Sequence, residues 1–138
     1  MPQYAITRTL PLTAAVNTFT NTTGEAGAGP TDITVPAGVS KISRIIIGVA
    51  ASVVAIASSG GNILLRLTGN GLVDGQQDFS GPGFREDTTS TGGLKVTQPY
   101  EIDGLSIGVK PGNSVQPAFA ITGVDPGTPE LSASLIFE

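Results

Sequence analysis

Residues 45–57 read IIIGVAASVVAIA, the longest apolar run in a chain of 138 residues. Such a run is either a buried strand or a piece of membrane helix, and its length and content decide between them. It is shorter than the roughly 20 residues that a bilayer-spanning helix needs. Gly48 and Ser52 dilute it, and its Ile and Val side chains, branched at Cβ, suit a pleated strand better than a helix. We read residues 41–50 as the strongest strand of the chain. Ile45, Ile47 and Val49 fall on one face and Ile42 and Ile46 on the other, which predicts that both faces are covered.

The same period of two recurs on either side. Downstream, Ile63, Leu65 and Leu67 alternate with Asn62, Leu64 and Arg66 before Gly69-Asn70-Gly71 turns the chain. Leu105, Ile107 and Val109 repeat the pattern up to Lys110-Pro111-Gly112-Asn113, and Val115, Pro117, Phe119 and Ile121 follow, with Pro117 pointing to an edge strand or a bulge. Leu131, Ala133, Leu135 and Phe137 form the last set. Upstream lie Tyr4, Ile6, Arg8 and Leu10, an extended piece over 16–20, and Asp32-Ile33-Thr34-Val35. No segment has a helical period with caps. Roughly eight short strands with variable turns predict an all-β antiparallel sandwich, most simply a single jelly roll, with an immunoglobulin-like sandwich as the alternative.

Composition narrows function by exclusion. The chain contains no His and no Cys, the side chains that do most nucleophilic, acid–base and transition-metal work near neutral pH. We therefore name no catalytic residue and expect no enzyme. The net charge is −4, and the seven Lys and Arg are scattered. Phosphate recognition needs them clustered, so no direct contact with nucleic acid is expected. Aromatics are 5% of residues and Trp is absent, which leaves few platforms for stacking sugars or bases. The first eight residues lack the charged-then-apolar layout of a secretory signal. Without one, the sequon Asn21-Thr22-Thr23 reads as coincidence.

The longest stretch without periodicity is 72–93, where Gly81-Pro82-Gly83 is expected to interrupt any regular structure. It carries Asp74, Asp78, Glu86 and Asp87, with Asn70 and Gln76 beside them. Oxygen donors of this kind can hold Ca²⁺. Their spacing matches no known calcium loop, and the competing reading is a solvated acidic loop; no other cofactor is expected. Arg44 and Arg66 sit on otherwise apolar strands, so each is expected to reach the rim or to pair with an acid, in its own chain or across a subunit contact.

Residues 1–30 contain strand-forming sequence followed by the small-residue linker 21–30, three of whose ten positions are Gly. We read them as an extended N-terminal arm with a Gly-rich hinge, and 31–138 as the sandwich domain. Ile42, Ile46, Leu64 and Ile136 lie opposite their strands' main apolar sets, more aliphatic surface than a single two-layer sandwich uses. With its strand patterning over 33–137 and the arm before it, the chain resembles the small jelly-roll structural proteins of virions, both coat proteins and phage head decoration or cement proteins. The resemblance implies a self-assembling homo-oligomer, trimeric in one version, that contacts other capsid or shell subunits and is assembled in the host cytoplasm. The arm has one Arg and one Glu, whereas coat proteins that condense a genome carry basic arms. A lectin-like carbohydrate-binding module using 72–93, and an extracellular filament or sheath subunit, are the alternatives.

Overall fold

The computed structural model describes residues 3–10, 18–23, 31–51, 61–84, 100–122 and 129–138. Those residues form ten strands and no helix: β1 (Tyr4–Leu10), β2 (Thr20–Asn21), β3 (Ile33–Thr34), β4 (Lys41–Ala51), β5 (Gly61–Thr68), β6 (Gln77–Phe84), β7 (Tyr100–Ile102), β8 (Ile107–Gly108), β9 (Ser114–Thr122) and β10 (Pro129–Phe137). One sheet has the order β1-β10-β4-β7, with β8 also pairing β4; the other has β2-β9-β5-β6, with β3 also pairing β9. All the pairings are antiparallel, and the two sheets pack face to face as a β-sandwich.

Six of these pairings nest along the chain in four levels. β5 pairs β6 around the turn at 69–75, β4 pairs β7 and β8 outside it, β2 and β3 pair β9 outside those, and β1 pairs β10 outermost. The pairings β10·β4 and β9·β5 join these levels within each sheet. Alternation supplies the filling. Ile63, Leu65, Leu67, Val115, Phe119 and Ile121 face Ile45, Ile47, Leu131, Leu135 and Phe137, all at most 1% exposed. Each large side chain buried this way is worth about 1.5–3 kcal/mol.

Three features differ from the alternation read in the sequence. Ile42, expected on the face opposite Ile45, is fully buried in the same core. The cause is a β-bulge: Phe137 pairs Ile42 while Ile136 pairs Arg44, so Ser43 is an extra residue that resets the phase of β4. Gly81-Pro82-Gly83 does not interrupt the sheet but runs within edge strand β6, where Gly81 and Pro82 together oppose Ile63 in a second bulge. Pro117, expected at an edge or a bulge, lies in β9 with strands on both sides. Its carbonyl accepts from Thr22 N at 3.0 Å, and its missing N–H points the same way, into the gap between β2, which pairs Phe119 and Ala118, and β3, which pairs Val115 and Ser114. No ladder bond is lost there.

The strand Tyr100–Ile102 carries no alternation long enough to be read in advance. Of the stretch read as an arm, β1 and β2 join the two sheets of their own chain, and Thr9 and Thr23 bridge the sheets with a reciprocal pair of backbone bonds of 3.1 and 2.6 Å. Of the 21–30 linker, Asn21 lies in β2 and Thr23 in the bridge to Thr9, whereas 24–30 lie outside the described residues.

Candidate functional site

Two surfaces can be built from the residues upward. The first is on the outer face of the second sheet, where Asn21, Ala118, Arg66 and Asp78 form one row across β2, β9, β5 and β6. The core positions of β5 are Ile63, Leu65 and Leu67, so Arg66 must point outward, and its register partner on β6 is Asp78. Arg66 Nε donates to Asp78 Oδ1 at 2.8 Å and Nη2 to Oδ2 at 3.1 Å, while Gln76 Nε2 donates to Oδ2 at 3.3 Å. The guanidinium also stands 3.9 Å from the centroid of the Phe19 ring. Its hydrogen bonds hold the Asp78 carboxyl below the usual carboxylate range, and Asp78 in turn raises the guanidinium. Ala118 and Ala120, register partners of Arg66 and Leu64, have the same outward parity yet are almost fully buried.

This arrangement is a clamp. It ties the segment before β2 to β5 and β6 by one stacked cation and one forked ion pair. Of the acids considered for calcium, Asp78 is committed to Arg66, and its charge is already met by a cation at bonding distance. Asp74 is exposed in the 69–75 turn, and Glu86 and Asp87 lie outside the described residues. Among the described residues no three Asp, Glu, His or Cys side chains come together. Both central arginines find acids in their own chain: Arg44 Nε lies 3.8 Å from Asp103 Oδ1, a looser and more exposed pair than Arg66 with Asp78.

A polar cluster around the buried Thr22 lies where the segment after β2 meets β9. Thr22, fully buried, donates to the Pro117 carbonyl at 3.1 Å and the Thr31 carbonyl at 3.2 Å; Gln116 Nε2 reaches the same two carbonyls at 2.7 and 2.9 Å. The sequence gives no sign of this cluster, because its acceptors are backbone atoms.

The second surface is the outer face of the first sheet. Register places Ala5, Thr7 and Thr9 of β1 beside Ile136, Ser134 and Ser132 of β10, and these beside Arg44, Ile46 and Gly48 of β4. The face is small-chained: Thr7 Oγ1 and Ser134 Oγ are 2.7 Å apart, and a Cβ at Gly48 would stand 2.6 Å from Ser132 Oγ. Among these nine positions the one charge is Arg44, at the end of the row and paired with Asp103; Lys41 of the same strand and Glu101 of β7, in register with Ile46, lie beyond them. Ile46 is half-buried there and Ile136 is 5% exposed. Leu64, half-buried, holds the corresponding position on the other sheet, and Tyr4 and Tyr100 are exposed at strand ends.

No known protein family, curated protein or solved structure matches this chain. No helix among the described residues is long and apolar enough to cross a membrane.

Proposed function

We propose that this chain is a virion structural protein, a self-assembling coat or decoration subunit built on a jelly roll. The nested pairing supports the jelly roll: a hairpin of four nested levels rolled into sheets of order β1-β10-β4-β7 and β2-β9-β5-β6 is two Greek keys, and an immunoglobulin-like sandwich has a different strand order. Fold alone does not fix function. The observation that carries the reading is the outer face of the first sheet, where nine side chains or glycines on three adjacent strands include a single charge.

A solvated sheet face is normally studded with Lys and Glu. Here small hydroxyls and the half-buried Ile46 offer positions that a facing surface can cover while the one ion among them, Arg44, stays paired with Asp103. A copy of the same chain supplies such a face, so the subunit is a homo-oligomer whose contacts are packing contacts, with no catalytic step and no bound cofactor assigned. Size-exclusion chromatography with light scattering, followed by electron microscopy, tests it. Trimers or closed shells are expected; a monodisperse monomer that binds a glycan array would make this a carbohydrate-binding module instead.

A further inference from the structure

Edge strands offer rows of unpaired N–H and C=O groups to any strand that approaches, and a subunit present in many copies meets that hazard from its own kind. β1 is such an edge. Thr9 gives its N–H and C=O to Thr23, on the side away from β10. Backbone direction alternates along a strand, so Ala5 and Thr7 also direct their polar groups to that open side.

Arg8 occupies an unusual place on this strand. It is in register with Ala133, which is fully buried, so it has the parity of a core residue. Its stem enters the space between the sheets, and its guanidinium turns to the rim. There Nε donates to the carbonyl of Asp32, just before β3 of the other sheet, at 2.9 Å, and Nη1 donates to the carbonyl of Thr7 at 3.0 Å. One side chain thus occupies an outward acceptor of the edge strand and ties that edge to the opposite sheet. An inward-facing charge on an edge strand is a recognised obstacle to strand addition, because a pairing neighbour would have to strip or bury it.

We propose that Arg8 guards the β1 edge against strand addition by a second copy of this chain. Among the described residues, with Thr9 closed by Thr23 and the Thr7 carbonyl taken by Arg8, an incoming strand finds the Thr7 N–H, the Ala5 pair and Gln3 before it, too short a ladder to hold it. The guard leaves face-to-face packing open and closes open-ended growth. It follows from the geometry of the edge and stands whether or not the virion reading holds.

The test compares Arg8→Ala and Arg8→Lys with the wild-type chain, whatever the wild-type oligomer is. Folding is checked by circular dichroism, and growth is followed by sedimentation velocity and thioflavin fluorescence over days. Lys keeps the charge and stem but lacks the fork that spans two carbonyls. Both variants are expected to accumulate large thioflavin-positive species that wild type does not, and adding Ala5→Pro to Arg8→Ala is expected to suppress them by removing an outward N–H. Folded variants that sediment as wild type does, or growth indifferent to Ala5→Pro, would overturn the proposal. Should Arg8→Ala fail to fold, Arg8→Lys carries the comparison alone.

Discussion

Arg66 and Asp78 are twelve residues apart in sequence and directly opposite each other on β5 and β6, joined by two hydrogen bonds of 2.8 and 3.1 Å. The pair gives the second sheet a pH dependence whose sign is fixed. Asp78 has a lower pKa folded than unfolded, so its stabilisation is fully present above the unfolded carboxylate value near 4 and fades as pH falls through the folded value. Asp78→Asn is expected to remove that part of the acid-limb slope of thermal stability, with a small loss at pH 7, as befits a solvent-exposed pair. Superimposable melting curves of wild type and variant from pH 7 down to pH 2 would show that the pair contributes nothing.

The Gly81 bulge sets a second expectation. A Cβ at Gly81 would stand 2.9 Å from the Ile63 carbonyl and 3.0 Å from Ile47 Cδ1, which reaches across from the other sheet. Gly81→Ala is therefore expected to cost about 1–3 kcal/mol by urea unfolding, the usual range for overpacking. Gly104, at φ +70 with nothing within 4 Å of an added Cβ, is the control. Gly104→Ala is expected to cost only the backbone strain, about 1 kcal/mol.

The bulge at Ser43 separates two isoleucines that look equivalent by sequence. Ile42 is fully buried and Ile46 half-buried on the outer face. Ile42→Ala is expected to lose about 2–5 kcal/mol, the range for deleting a buried Ile side chain. Ile46→Ala is expected to lose clearly less in dilute solution. Equal losses would mean that the phase of β4 is not reset.

These positions also show how far the sequence could be read. Wherever strands run without interruption, as at Ile63, Leu65 and Leu67 or at Leu131, Leu135 and Phe137, the period of two identified the core side chains, because alternate residues of a strand face alternate sides. It failed at Ile42 because one added residue reverses the assignments beyond it and nothing local to Ser43 announces the addition, whereas Gly81-Pro82-Gly83 reads as a break, yet a bulge on an edge strand can hold residues that a regular ladder would not. Asp78 appeared as one of four loop acids. It is instead the partner of an arginine, a relationship that exists only once β5 and β6 are set in register. Pro117 misled for a related reason: the gap that excuses its missing N–H lies between two segments far away in the chain.

The central claim is that copies of this chain pack through the outer face of the first sheet, and Ser134 lies at the middle of that face, on the strand between β1 and β4. Ser134→Arg places a charge there without entering the core. Sedimentation equilibrium of wild type and Ser134→Arg, both shown to be folded, measures the claim directly. The expected result is an associating wild type and a variant reduced to monomer; a monomeric wild type, or a variant that assembles as wild type does, would contradict it.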